Sequence, residues 1–121
     1  MLSLSAVLHV ALHVIVPLGV AWVLYRPRWR LAAMIMVTTM VVDLDHLLAD
    51  PIYDPARCSI GFHPLHTGSA ALAYGLMWAL PLVLRSRLEG PREEAAYRVH
   101  LVGLGLLIHL ALDGLDCLGF P

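Results

Sequence analysis

Four long apolar runs alternate with short polar turns along this chain. The runs cover about Leu4 to Tyr25, Trp29 to Ala49, Pro64 to Leu84 and Ala96 to Leu118. As helices, all are long enough to cross the hydrocarbon layer of a bilayer, which takes roughly 20 residues. Polar residues collect between them: Arg26-Pro27-Arg28-Trp29-Arg30, an irregular loop from Asp50 to Gly61, and a basic stretch from Arg85 to Arg98. Pro51 stops the second run, and Pro17 inside the first is tolerated because membrane helices accept proline. The pattern predicts an all-α protein. It is a four-helix transmembrane bundle over residues 1–121, one integral membrane domain, with a polar outward loop between helices two and three. Met1 to Tyr25 has neither a basic start nor a small-residue cleavage site, so it is expected to remain as the first span.

Composition strengthens this picture. Hydrophobic residues make up 60% of the chain and charged residues 14%, against about 25% charged in a soluble domain. Without a basic surface, a nucleic-acid partner is not expected. There is no lysine, and seven of the eight arginines lie in the turns 26–30 and 85–98. Both turns fall at one end of the bundle, and the positive-inside rule places that end in the cytoplasm. Both termini and the 50–63 loop then face outward.

The remaining ionisable residues change the picture from scaffold to site. Asp43-Leu44-Asp45-His46 closes the second run, and His63-Pro64-Leu65-His66 opens the third. His9 and His13 lie four apart on the first run; His109, Asp113 and Asp116 share a face of the fourth. Such groups are costly in an apolar setting unless paired or bound to metal. At ~1.5 Å per residue, most of them fall within roughly 10 Å of the outer interface. Four separate segments therefore bring ligand-type residues to one depth.

Imidazole with carboxylate suits zinc, manganese or iron better than calcium. One catalytic zinc takes about three protein ligands. The candidates His9, His13, Asp43, Asp45, His46, His63, His66, His109 and Asp113, with Asp116 a weaker tenth, suggest two ions, or one ion with many supporting groups. Asp43 and His46 share a helical face, whereas Asp45 points roughly the other way on an ideal helix. Either the helix loosens before Pro51 or Asp45 serves a second metal or a neighbouring helix. Arg57, the one outward arginine, can meet a substrate phosphate; its blander reading is a solvated residue or a partner of Asp54. His100 lies roughly 13 Å along the helix from His109 and is not expected to bind the metal. Cys58 and Cys117 are both outward, where a disulfide persists; free thiols or a thiolate ligand are the alternatives.

These blocks resemble a known family. Val42-Asp43-Leu44-Asp45-His46-Leu47-Leu48, the loop from Asp54-Pro55 through Arg57-Cys58 to His63-Pro64-Leu65-His66-Thr67, and Leu107-Ile108-His109 through Asp113 to Asp116-Cys117 resemble DUF6122, a family of small bacterial integral membrane proteins. The resemblance is read over nearly the whole chain, and it implies a multi-pass protein of the bacterial inner membrane. More loosely, the motif order is similar to that of the YdjM-like membrane-bound metal-dependent hydrolases, which look distantly like zinc-dependent phospholipases C. That likeness implies metal-site roles for His9, Asp43, Asp45, His46, His63, His66, His109 and Asp113. The chain departs from it in the spacing of His63 and His66 and in lacking an arginine beside them.

The expected function is that of a membrane-embedded metal-dependent hydrolase acting on a phosphoester of a lipid or lipid-linked substrate. A metal-bound hydroxide would attack phosphorus, with Asp45 and His66 as the proton-carrying groups. The alternative is a metal-binding or metal-transport protein without hydrolytic activity; a third reading is a structural subunit stapled by the cluster. Membrane lipid is the expected partner, and a homo-oligomer stays open.

Overall fold

A computed structural model describes residues 3–119 of the chain. The termini beyond them, Met1–Leu2 and Phe120–Pro121, lie outside the described residues. Helix α1 spans Leu4–Leu24, and the Ser3 hydroxyl caps it by accepting from the Ala6 N–H at 3.2 Å. A 3-10 turn, Arg26–Arg28, leads into α2, Trp29–Thr38, which tightens into a 3-10 helix over Thr39–Leu48. Helix α3 is Gly68–Leu84, capped by Thr67, and α4 is Pro91–Cys117. No strand occurs among the described residues.

Three element boundaries differ from the hydropathy reading, each for a local reason. Helix α3 starts at Gly68 rather than Pro64, because Pro64–His66 forms a separate 3-10 turn and the extended Thr67 caps the helix. Helix α4 starts at Pro91 rather than near Ala96. Proline suits the first helical position, and Glu93 and Glu94 in the first turn complement the helix dipole. Their charge hides the turn from a hydropathy scan. The second half of the second span is 3-10 rather than α. Thr38 donates its hydroxyl to the Met34 and Ile35 carbonyls, and Thr39 donates to that of Met36 at 2.6 Å. Such back-bonding competes with the regular ladder. In a 3-10 helix residues three apart eclipse, so Asp43 and His46 stay in line while Asp45 turns into the bundle, where it is 5% exposed. The helix resolves the Asp45 problem by tightening, not by loosening.

The four segments Leu4–Leu24, Arg26–Leu48, Gly68–Arg87 and Pro91–Cys117 are long and apolar enough to cross a membrane. The distribution of side chains is the reverse of that in a water-soluble bundle. Large apolar residues such as Val23, Leu24, Leu72 and Val83 lie on the outside, whereas among the described residues as many polar or charged side chains are buried as hydrophobic core ones, eight of each. An apolar plug of Ala21, Ala32, Ala33, Met36 and Leu101 fills the arginine end of the bundle. There Arg28 grips Glu94 with two hydrogen bonds of 2.8 and 2.9 Å, and Arg98 adds a third at 3.0 Å. His100 sits in the same region, accepting from the Tyr25 hydroxyl at 2.6 Å and donating to the Trp78 carbonyl at 2.8 Å, apart from the other histidines. At the opposite end a disulfide between Cys58 and Cys117 ties the loop to the end of α4.

Helix α4 is the central element, packing on α1, α2 and α3. Two glycines permit its close approach. A Cβ at Gly103 would sit 2.5 Å from the Trp78 backbone nitrogen and 2.8 Å from the Tyr74 carbonyl oxygen on α3. One at Gly105 would meet the Met36 Cα and the Thr39 side chain at 2.9 Å. Small residues at such crossings let helix backbones touch. Gly103→Val is therefore expected to destabilise the protein by ~1–3 kcal/mol or more through overpacking, read as a lower thermal midpoint in detergent. Gly19→Ala, on a helix face with open space around it, is expected to hold or raise the midpoint. Equal midpoints for both variants would contradict this packing.

Candidate metal centre

Four chain segments deliver ligand-type side chains to the loop end of the bundle: α1 brings His9 and His13, the 3-10 part of the second span brings Asp43, Asp45 and His46, the turn before α3 brings His63 and His66, and α4 brings His109 and Asp113. Three groups result, each with donor atoms within 4.8 Å of one another: Asp43, His66, His109 and Asp113; His9, His13 and Asp113; and Asp45, His46 and His63. These buried His and Asp groups could hold a metal ion.

Five of the six donor–donor spacings in the first group match the edges of a tetrahedral cage. Asp43 Oδ1 lies 3.0 Å from His109 Nε2 and 3.4 Å from His66 Nε2. Asp113 Oδ2 lies 3.1 Å from His66 Nε2 and 3.3 Å from His109 Nε2, and the two Nε2 atoms are 3.4 Å apart. A tetrahedron with edges of about 3.3 Å has its centre ~2.0 Å from each corner, the bond length zinc makes to nitrogen and carboxylate oxygen. The second group meets the other oxygen of the same carboxylate. His9 Nε2 and His13 Nε2 each lie 3.2 Å from Asp113 Oδ1. Asp113 thus faces one donor set with each oxygen, as a carboxylate bridging two cations would.

Tautomers make the argument sharper. His13 Nδ1 donates to the His9 carbonyl at 2.8 Å, so the Nε2 of the neutral ring carries a lone pair. His66 Nδ1 donates to Asp45 Oδ2 at 3.0 Å, which leaves its Nε2 in the same condition. In the neutral rings, lone pairs therefore face carboxylate oxygens across about 3 Å. Although these atoms are close, His13 Nε2 and Asp113 Oδ2 have no hydrogen bond of acceptable direction, and both are buried. Two acceptors facing each other in a dry interior repel unless a cation lies between them. His109 Nδ1 is also buried without a partner.

Asp45 faces a neighbouring segment, one of the alternatives its helix position left open, and it also belongs to the third donor group. Its Oδ1 accepts from His46 Nδ1 at 3.0 Å, and its Oδ2 accepts from His66 Nδ1 and from the Leu65 N–H at 2.8 Å. Both oxygens are committed, so Asp45 acts through His66 by fixing its orientation, as carboxylates behind metal-bound histidines do. His46 uses its second nitrogen on the Ser59 hydroxyl at 3.0 Å, and its ring lies 3.7 Å from that of His63. The third group is therefore largely spent on internal hydrogen bonds. Ser59 was not singled out by sequence reasoning, since a loop serine has no spacing that reports its partner.

A cleft of about 480 Å³ opens beside this network, lined by His9, His46, Arg57, Ser59, His63 and Asp116 among others. Asp116 is half-exposed, with Oδ1 3.8 Å from His9 Nδ1. Arg57 donates to the Pro51 carbonyl at 2.8 Å and lies over the Phe62 ring, so it is partly held rather than solvated. Burial and the neighbouring His46 ring push the His63 pKa below its ordinary value, which leaves a neutral imidazole on the cleft wall. For His66 burial pushes the same way, but the carboxylates of Asp113, Asp43 and Asp45 outweigh it and lift the ring to about 10.

Two measurements test this geometry. Asp113→Asn keeps the shape of the side chain but removes the charge that both sets share. It is expected to lower bound zinc, read by elemental analysis, by more than His9→Ala, which touches one set. Equal metal content in both variants and the parent would show that these groups are not a metal site. The raised His66 pKa fixes the sign of the pH effect: a cation must displace a proton held up to about pH 10, so binding releases protons and weakens as pH falls. Apparent zinc affinity, measured by chelator competition, is expected to drop about tenfold per pH unit between pH 8 and 6. A flat profile would contradict the role given to His66.

Comparison with curated proteins and with solved structures finds no match for this chain. A family model, described as a family of unknown function, matches residues 3–90. The match takes in His9, His13, the Asp43–His46 block and the His63–His66 pair, and it stops before α4 enters the bundle, so His109 and Asp113 lie beyond it. With most of its length matched, the chain belongs to the family DUF6122.

Proposed function

We propose that this protein is a membrane-embedded hydrolase that cleaves a phosphoester of a lipid or lipid-linked substrate with the help of one or two divalent ions, zinc foremost. The observation that carries this reading is the two-sided use of Asp113. One oxygen completes a closed set of four donors; the other completes a set of three, His9, His13 and Asp113, whose His9 edge lines the cleft. Closed four-donor sets suit structural ions, and three-donor sets leave a position for water or substrate. When bound there, a divalent ion polarises a phosphoryl oxygen and brings the pKa of a water toward neutrality.

The chain's own groups supply the rest. Asp45 holds His66 in one tautomer and orientation. Asp45 and His66, expected from sequence as proton carriers, are both engaged inside the donor network. In this reading the proton-carrying role passes to His46 and His63, which reach the cleft wall, with Ser59 relaying to His46. The guanidinium of Arg57 spends one nitrogen on Pro51 and keeps others for a phosphate oxygen. Apolar exterior faces and four long apolar helices support a bilayer setting. With the arginine turns in the cytoplasm, the centre would face outward across the bacterial inner membrane.

The closed four-donor set is the specific observation favouring a second reading, a metal-binding protein without turnover. Ion transport has less support: the plug of Ala21, Ala32, Ala33, Met36 and Leu101 stands between the centre and the arginine end. Protein in lipid nanodiscs, loaded with zinc and offered phospholipids and lipid phosphates, separates the two readings. Turnover is expected to vanish with chelator, return with zinc, and fall ~100-fold or more in His63→Ala at unchanged metal content. Full metal occupancy with no turnover of any phosphoester would establish the second reading.

A further inference from the structure

The bundle is open on one side. Helix α3 lies along α4 but makes no comparable contact with α1 or α2. A groove of about 590 Å³ fills the gap, with Val102 and Leu106 of α4 as its floor, Thr38 and Val42 of the second span as one wall, and Tyr74 of α3 as the other. Arg98, held by Glu94, closes the arginine end. At the loop end the groove is framed by Val42 and Leu65. Their chain neighbours Asp43 and His66 belong to the four-donor set.

We infer that this groove seats the hydrocarbon chain of the substrate, an amphiphile with a phosphate head, and that the lipid enters sideways between the second span and α3. The inference rests on the hydrolase reading and narrows its substrate to a lipid whose chain lies within the protein. Three observations choose this occupant. The lining is largely apolar, and the groove lies between the second span and α3 on the outside of the bundle. Val42 and Leu65 at its loop end directly precede Asp43 and His66 in the chain, so a chain lying in it points its head toward the donor end of the bundle. The polar cleft lies on another side of the same centre, lined by His9, so water reaches the site without crossing the groove. A second copy of this chain is the rival occupant.

The test uses the full chain in nanodiscs and a decyl phosphate carrying a photoreactive diazirine in its alkyl chain. Adducts mapped by mass spectrometry are expected to concentrate on the stretches around Thr38–Val42 and Val102–Leu106. Val102→Trp fills the groove floor and is expected to cut them about tenfold, the loss of roughly two buried methylenes; Thr38→Trp serves if that variant does not fold. Val83→Trp, on an exposed face of α3, is expected to leave them unchanged. Methyl phosphate hydrolysis keeps the two readings apart. Groove adducts with no phosphate hydrolysed would end the hydrolase reading and keep a lipid groove. Methyl phosphate turnover with adducts spread evenly over exposed faces would overturn the groove. So would a disulfide between two copies of Thr38→Cys, which would place a second chain there.

Discussion

A carboxylate in a dry interior is the constraint on which the loop end of this protein depends. Asp113 is 4% exposed and sits midway along the polar network, with no arginine among its neighbours and no lysine anywhere in the chain. Its surroundings are imidazole nitrogens at 3.1 to 3.3 Å. Neutral imidazoles with their lone pairs turned inward do not balance such a charge; they add to it. The Nδ1 atoms of His13 and His66 are already committed to the His9 carbonyl and to Asp45, so these rings cannot turn a second N–H toward Asp113 without becoming cations. His9 and His109 can each donate an Nε2–H to a carboxylate as neutral rings, whereas the contacts of His13 and His66 with Asp113 call for a proton or a cation between them. A proton can supply the positive charge one ring at a time, and the carboxylates around His66 favour its charged form. A divalent ion supplies it to several donors at once, at distances the pairwise spacings already fit.

The fold serves that requirement at some distance from it. Gly103 and Gly105 bring α4 against α3 and α2 closely enough for His109 to reach Asp43 and His66. The threonine pair at 38–39 tightens the second span, which turns Asp45 inward to meet His66 and the Leu65 N–H. The disulfide fixes the loop carrying Ser59 and His63 over the end of α4. Each device acts on backbone position, and the donor geometry follows from it.

Much of this was legible from the order of residues and some was not. Span number, helical class and the gathering of His9, Asp43, His66, His109 and Asp113 at one end follow from hydropathy and from ~1.5 Å of rise per residue, which need no tertiary knowledge. The role of Asp45 was hidden because a periodicity argument assumes an ideal α-helix, and here the helix becomes 3-10 through threonine hydroxyls whose partners are local but whose effect is not. The start of α4 was hidden because Arg92, Glu93 and Glu94 read as a polar turn, although proline followed by acids is a helix-start signal in its own right. The two-sided placement of Asp113 was beyond reach, since which oxygen meets which ring depends on how the helices cross. The lateral groove was hidden for the same reason: four apolar runs do not reveal that α3 leans on one neighbour only.

The two openings near the donor network differ in kind, and that difference constrains the chemistry. One is polar and lined by His9, His46 and His63; the other is largely apolar and ends at Val42 and Leu65, beside Asp43 and His66. A purely structural staple needs neither, because a closed cage gains nothing from a path to water or to the bilayer. A transport site needs polar groups continuing past the ion, and below this network the interior turns apolar at Met36, Ala33 and Leu101. In the proposed reading, hydrolysis of a membrane-bound ester would use the polar opening for water and the apolar one for the amphiphile. The Asp113 carboxylate, with one oxygen toward His9, which lines the polar cleft, and the other toward His66, links the two donor sets that reading needs.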